Sequence, residues 1–206
     1  ADLTVEKHTG KDSFAGVCED TRIGTTIIFY VANAARYQKE AMQSSMKNGH
    51  VNVSFTALAS EGKILLPVKK SPDQALLDME ATSTRSHLIA AARNGDENAI
   101  ESLTMEDMDM YNMVSRRIMN EDVFSIVETF FMPSGMECDR YQIMGEIQSV
   151  EKIRNKRTKE YIYQMNLQCN NMSMDVCINE ADLLGDPDVG RRFKGEIWLQ
   201  GNINFV

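Results

Sequence analysis

Apolar and polar residues alternate most regularly over residues 161–179. The segments "YIYQMNLQC" and "MSMDVCIN" flank Asn170 and Asn171, and asparagine tolerates the positive φ that a two-residue type I′ turn requires. A hairpin that turns there has one wholly apolar face. Its apolar pairs are Leu167 with Met174, Met165 with Val176, and Tyr163 with Ile178. The pattern therefore predicts a hairpin in this register, with Cys169 and Cys177 on opposite faces.

The segment "VGRRFKGEIWLQG", residues 189–201, shows the same alternation and contains the only tryptophan. As a strand it places Phe193, Ile197 and Leu199 on one face and Trp198 on the other, among charged residues. Two interpretations of the tryptophan are open. It is either a stacking platform flanked by cations or a packing residue beneath the helical section, and we favour packing.

Two further strands are predicted before the hairpin. "YQIMGEIQSVEKI" is strand-like, with Gly145 marking a bend or bulge. "DVFSIVETFFMP" ends at Pro133 and is rich in β-branched and aromatic residues, with a buried helical turn as the alternative. "NEADLLG" predicts a short helical turn before the last strand. Five strands with a helix before the last are typical of a small barrel of the OB type, which we predict over residues 121–206.

Residues 1–70 are predicted to form a mixed α/β part. "LTVEKHT", "FAGVCED" and "TTIIFYV" are strand-like, and "NAARYQKEAMQSSMK" is a helix that ends at "NG". "VNVSFTALA" and "KILLPVKK", separated by "SEG", predict a second hairpin with its turn at those three residues.

Residues 71–120 are predicted to be helical and to pack on the sheet. Gly95 ends one helix and Asp96 caps the next, while Thr104 and Asp107 approximate a capping box that would begin another. The predicted fold class is therefore α+β, with an N-terminal mixed α/β part, an acidic helical middle and a C-terminal small five-stranded OB-like β-barrel.

The net charge of −8 is concentrated in the middle of the chain, where residues 71–139 contain 14 acidic and 4 basic side chains. Such a balance does not favour binding of nucleic acid or an anionic membrane by the whole molecule. No apolar run approaches the ~18 residues of a membrane span. Four scattered cysteines and the lack of a visible secretory signal predict reduced thiols in a cytoplasmic protein.

Motifs for chemistry are absent from the sequence. It contains no nucleophile elbow, P-loop, dinucleotide fingerprint or H-E-x-x-H zinc motif. Glu106 and Asp109 share a helix face and could hold a divalent cation, but acidic residues are common at a solvated helix start. No catalytic residue, metal ligand or cofactor is therefore predicted.

Basic residues cluster in the predicted barrel, in the loop "EKIRNKRTKE" and on the last strand. In OB-type barrels such loops and strand faces bind oligonucleotides and oligosaccharides. The candidate ligand-binding residues are Arg154 and Arg157 in the loop, and Arg191, Arg192, Lys194 and Trp198 on the strand.

Several segments together resemble a family of uncharacterised proteins from anaerobic Gram-positive bacteria, a domain of unknown function. They are "SFAGVCEDTRIG", "SEGKILLPV", "AAARNGDENAIESLT", "EDVFSIVETFFMP" and "DVCINEADLLGDPDVGRRFKGEIWLQG". The resemblance implies a bacterial cytoplasmic protein with an additional N-terminal portion outside this chain. It implies no activity and no site residues.

We therefore expect an uncharacterised cytoplasmic protein that acts as a non-enzymatic binding or assembly module. The alternatives are an enzyme without a motif that acts on a small molecule, and oligonucleotide or oligosaccharide binding through the C-terminal barrel. A homo-oligomer or a protein partner is compatible with the sequence, whereas a membrane or nucleic-acid partner is not expected.

Overall fold

The computed structural model describes residues 3–8, 12–20, 25–43, 51–68, 84–85, 87–119, 122–136, 138–170 and 172–205. The chain forms two compact units. The first consists of Ala1–Pro67 with Thr129–Val206, and the second is Val68–Glu128.

The first unit consists mainly of strands. They are β1 (Leu3–Lys7), β2 (Phe14–Asp20), β3 (Thr25–Val31), β4 (Val51–Leu65), β5 (Phe130–Pro133), β6 (Arg140–Arg154), β7 (Tyr161–Cys169), β8 (Met172–Asn179), β9 (Leu183–Leu184) and β10 (Arg192–Phe205). The unit also contains helix α1 (Ala34–Gln43) and the 3-10 turn η1 (Glu180–Asp182). The predicted end of the first helix at Asn48 and Gly49 lies outside the described residues.

Five of the described strands close into a barrel. β6, β7 and β8 form an antiparallel meander, and β10 pairs antiparallel with β6. β4 closes the circuit because it pairs antiparallel with β10 and parallel with β8. β1, β2 and β3 extend the sheet beyond the barrel, since β3 pairs parallel with the end of β10. The fold is therefore mixed α+β, mostly strands, around a closed barrel.

The hairpin of β7 and β8 has the predicted register. Leu167 lies opposite Met174 and Met165 lies opposite Val176, and all four side chains are buried. Asn170 has a φ of +45°, as the predicted turn requires, while its neighbour Asn171 lies outside the described residues. The prediction of this hairpin is confirmed.

The predicted hairpin with a turn at "SEG" is wrong, because β4 runs through these residues as one strand. Its register against β10 shifts between Glu196 and Ile197, so Ser60 is an extra residue without a partner on β10. This is a β-bulge. Gly62 follows, and a Cβ at that position would clash with the ring of Phe193. The small polar residues thus mark a bulge and a close approach rather than a turn.

The predicted strand "DVFSIVETFFMP" is half helical. Its first part forms one turn, α3 (Val123–Ile126), capped by Asp122, whose Oδ1 accepts a hydrogen bond from Phe124 N at 2.8 Å. Its second part is β5, which pairs with β6 outside the barrel circuit. The strand expected from this segment is therefore supplied to the barrel by β4.

The second unit contains the long helix α2 (Glu97–Ile118). Asp96 caps it as predicted, since its Oδ1 accepts a hydrogen bond from Asn98 N at 3.0 Å. The predicted capping box at Thr104 is wrong. The Thr104 hydroxyl instead donates to the Ile100 carbonyl, 2.8 Å away within the same continuous helix, a bond that competes with capping.

The core lies inside the barrel and continues under the N-terminal strands. It is built from the inward positions of each strand, as alternation requires. Its fully buried members include Ile27, Phe29, Tyr141, Ile143, Ile147, Met165, Leu167, Met174, Ile178, Phe193 and Ile197.

Tyr141 joins the barrel to the N-terminal strands. Its hydroxyl accepts a hydrogen bond from Ile28 N at 2.8 Å and donates one to Ile28 O at 2.9 Å. Its ring stacks on Phe131, with centroids 4.3 Å apart. Burial raises the pKa of Tyr141 to about 12, so the phenol is neutral at physiological pH.

Replacing Met174 by Asp tests the buried face of the hairpin. The change places a carboxylate in the core without a partner, and we expect a loss of several kcal/mol of unfolding free energy, measured by urea denaturation. Ser173→Asp is the matched control, since Ser173 is exposed on the other face and should lose less than ~1 kcal/mol. Equal losses in the two variants would contradict the register.

Replacing Tyr141 by Phe tests the junction of β6 and β3. The N–H and C=O of Ile28 would lose their partner in a partly buried site, so we expect a loss of roughly 1–3 kcal/mol in unfolding free energy. Tyr163→Phe is the control, because the Tyr163 hydroxyl makes a long bond of 3.5 Å to Glu180. A Tyr141 variant as stable as the control would show that the junction does not depend on this hydroxyl.

Candidate functional site

The two predicted loop residues lie at the far end of β6. Arg154 is exposed, its Nε donates to the Lys159 carbonyl at 2.9 Å, and its guanidinium lies 5.7 Å from the centre of the Tyr161 ring. Arg157 is exposed in the turn that follows. Arg154 is thus held by the local structure of its own hairpin, whereas the side chain of Arg157 is open to solvent.

Lys152, a cation near the same end of β6, also has partners within the protein. Its ammonium forms an ion pair with Glu180 and lies 4.7 Å from the Tyr161 ring centre and 5.3 Å from that of Tyr163. The hydrogen bond to Glu180 raises the pKa of Lys152. Positive charge at this end is therefore partly neutralised before any ligand arrives.

The two arginines at the start of β10 form hydrogen bonds with backbone carbonyls of the protein. Arg191 Nη1 donates to the Asp186 carbonyl at 2.7 Å. Arg192 is only 6% exposed, its Nε donates to the Leu66 carbonyl at 2.9 Å, and its Nη1 lies 3.9 Å from the sulfur of Met144. A guanidinium so enclosed presents little surface to a ligand.

Trp198 is partly buried on the outer face of β10. Its indole Nε1 donates to Asp139 Oδ2 at 2.6 Å, and its ring lies 5.1 Å from that of Tyr30, centre to centre. Lys194 lies four residues away along the strand, about 13 Å at the usual rise, and its ammonium is 6.0 Å from the Phe130 ring centre. The tryptophan therefore packs against β3 and is not flanked by the predicted cations.

The six predicted residues do not form one groove. β6 places Arg140 opposite Trp198 and Glu146 opposite Arg192. Arg154 lies eight residues beyond Glu146, about 26 Å further along the strand. The structure therefore brings together the cations at the start of β10, and it leaves the tryptophan and the loop arginines at separate places.

A different surface, which the sequence reasoning missed, is concave. It is a depression of about 530 Å³ on the outer face of β6, β7 and β8. It is lined by Ser149, Val150, Glu151, Gln164, Met165, Asn166 and Asp175. The sequence feature that corresponds to this depression is the polar face of the predicted hairpin. In the sequence, that face supports the strand register and does not by itself indicate a depression.

Cross-strand hydrogen bonds hold the polar groups of this depression in place. Asn166 Nδ2 donates to Asp175 Oδ1 at 2.8 Å, and Ser173 Oγ donates to Asn166 Oδ1 at 3.2 Å. Gln164 and Glu151 are exposed beside this network. The surface therefore offers amide and carboxylate groups, of which those of Asn166 and Asp175 are held by hydrogen bonds.

Reactive groups are not gathered at this surface. Burial raises the pKa of Cys169 to about 12, and its sulfur lies within hydrogen-bonding distance of two carbonyl oxygens, those of Phe130 at 3.1 Å and Met144 at 3.3 Å. Among the described residues no group of three or more His, Cys, Asp or Glu side chains is arranged to hold a metal ion. Glu106, one of the two carboxylates considered for a cation, pairs with Arg85 at 3.3 Å.

A closed barrel with additional strands and helices is the class of protein that the structure defines. The chain belongs to a family described as a domain of unknown function after an E. rectale gene (DUF3881), whose family model matches residues 1–201. An origin in anaerobic Gram-positive bacteria is consistent with this family. No curated protein and no solved structure matches the chain. Within the described part of the chain, every helix is too short or too polar to cross a membrane.

Replacing Trp198 by Ala distinguishes packing from ligand stacking. The change removes the contact with Tyr30 and the bond to Asp139, and we expect a loss of about 2 kcal/mol or more in unfolding free energy. Leu58→Ala is the control, because Leu58 lies opposite Trp198 on β4 and is 49% exposed.

In the parent protein, a single-stranded oligonucleotide should leave the fluorescence of Trp198 unchanged. Salt-sensitive quenching by the oligonucleotide, with little loss of stability in the alanine variant, would instead show a stacking platform.

Proposed function

We propose that this protein is a non-enzymatic binding module built on an OB-type barrel, and that it binds an oligosaccharide on the outer face of β6, β7 and β8. The observation that carries the proposal is the position of the concave depression on that face.

The strand order supports the assignment of the barrel. In an OB barrel the first three strands form a meander, a helix precedes the fourth strand, and the fourth pairs with the first. The fifth closes the barrel between the third and the fourth, parallel to the third. Here β6, β7 and β8 form the meander, η1 follows it, and β10 pairs with β6. β4 occupies the position of the fifth OB strand, although it precedes the other four barrel strands in the chain. It is parallel to β8, as the fifth OB strand is to the third.

The position of the depression agrees with this assignment. OB barrels bind oligonucleotides and oligosaccharides across the face of their second and third strands. Under the proposed correspondence these strands are β7 and β8, which contribute Gln164, Asn166 and Asp175 to the depression. A shallow open face is also typical of a binding module, whereas enzymes gather titratable groups in an enclosed pocket.

The chemistry of the depression favours sugar hydroxyls over phosphates. Its lining contains the carboxylates of Glu151 and Asp175 and the amides of Gln164 and Asn166, all of which form hydrogen bonds with hydroxyl groups. The lining described by the structure contains no Lys or Arg, which a phosphate backbone requires. Since Asn166 and Asp175 are already fixed by cross-strand bonds, little ordering is needed on binding.

A cytoplasmic location is part of the proposal. Cys138, Cys169 and Cys177 are free thiols, as is typical of proteins in reducing compartments.

Titration of the isotope-labelled protein with malto-, cello- and chito-oligosaccharides tests the proposal by NMR. At least one of these should shift the backbone amide signals of β7 and β8. Gln164→Ala and Glu151→Ala should each weaken binding about threefold to tenfold, because each removes a hydrogen bond to the ligand. Asn202→Ala is the control, since it removes an amide from the outer face of β10.

Three outcomes would contradict the proposal. They are the absence of shifts with every sugar, shifts confined to other strands, and equal binding by the two variants and the control. If a single-stranded oligonucleotide bound to the same face, the ligand class would be a nucleic acid and not a sugar.

A further inference from the structure

Helix α2 has an apolar face that is open to solvent. Met105 and Met108 are each 62% exposed and Tyr111 is 74% exposed, while Ile100 is nearly half exposed. Ile100, Met108 and Tyr111 lie on one side of the helix because their spacings are close to whole helical turns, and Met105 borders the same side. Large apolar side chains gathered in this way mark an interaction surface more often than isolated ones do.

The same face is concave. A depression of about 490 Å³ is lined by Thr104, Asp107, Met108, Tyr111 and Asn112. Methionine side chains are flexible and polarisable, so they adapt to the shape of an inserted apolar side chain. The face therefore offers a partner a shallow, open depression with an adaptable lining.

The surroundings of this face are acidic. Residues 97–109 contain five acidic side chains and no basic one. Arg85 pairs with Glu106 at 3.3 Å and with Asp107 at 2.6 Å. Glu97, Glu101 and Asp109 are exposed, and the described residues provide no ion pair for them. Among the described residues, the part of the helix that precedes the depression thus carries an excess of negative charge.

We propose that this face of α2 binds a basic amphipathic helix of a partner protein. An amphipathic helix places its apolar residues in a hydrophobic groove at spacings of three and four residues, which matches the spacing on α2. Lysine and arginine on its flanks would meet the acidic border and accelerate association. A second copy of this chain would bring the same negative charge to the interface, so self-association is disfavoured. Phosphate-bearing partners are disfavoured for the same reason.

Fluorescence anisotropy of a labelled synthetic helix of leucine and lysine, with all leucines on one side, tests the proposal on the full chain. The peptide should bind the protein, and its affinity should fall as salt is added. Met105→Gln combined with Met108→Gln should weaken binding by about tenfold or more, because two exposed apolar side chains that the bound peptide would cover are lost. Met136→Gln is the matched control, since Met136 is 96% exposed elsewhere in the chain and should leave the affinity unchanged.

A charge variant separates the role of the acidic border from that of the apolar face. Glu101→Gln combined with Asp109→Asn should lower affinity several-fold at low salt and have little effect at high salt. Circular dichroism should show parental helix content in all variants, since the altered side chains are exposed.

Three results would overturn the proposal. One is equal binding of the parent and the Met105 and Met108 double variant. Another is equal binding of a leucine and glutamate peptide with the same apolar pattern. The last is a dimer of the protein in sedimentation that the double variant abolishes, which would identify a second copy as the occupant.

Discussion

The pairing of β10 with three other strands is the constraint on which the rest of the first unit depends. One edge of β10 pairs with β4 along its whole length, from Arg192 to Phe205. The other edge is divided, because β6 pairs with residues 192–198 and β3 pairs with Gln200 and Gly201. The barrel closes through β4 and β6, and the N-terminal strands attach through β3. A loss of register in β10 would therefore disturb both the closure of the barrel and the attachment of the N-terminal strands.

Aromatic side chains cover both sides of the point where β10 changes partner. Inside, Tyr141 near the start of β6 forms hydrogen bonds with the N–H and C=O of Ile28 on β3. Outside, Trp198 packs on Tyr30, the first residue of β3 that pairs with β10, and bonds to Asp139 before β6. The single tryptophan thus lies on the polar face of its strand because it covers the outer side of the junction between β3 and β10. Its indole N–H donates to the carboxylate of Asp139.

The parts of the fold that the sequence could predict are those whose partners are close in the chain. The β7–β8 hairpin is specified by apolar matching across a two-residue turn, and both strands carry that pattern themselves. The place of β4 in the barrel depends on its pairing with β10, which lies more than a hundred residues away in the chain. In addition, the β-bulge at Ser60 has small polar residues like those of a turn, so the sequence does not distinguish the two. The exposure of a cation cannot be predicted from its sequence neighbours for a related reason, since Arg191 and Arg192 are adjacent in the chain and Arg192 is buried by residues that are distant in sequence.

The order of the strands also changes what can frame a ligand on the proposed OB-type face. In an OB barrel two loops border the site, one between the first and second strands and one between the fourth and fifth. In this chain β4 precedes β10, so no loop can lead from β10 to β4, and the turn between β6 and β7 is left to border the face. That turn carries exposed Lys156, Arg157 and Lys159, whereas the depression beside it contains Glu151 and Asp175. Under the proposed function, a ligand that extends from the turn across the strands would therefore meet positive charge first and carboxylates next.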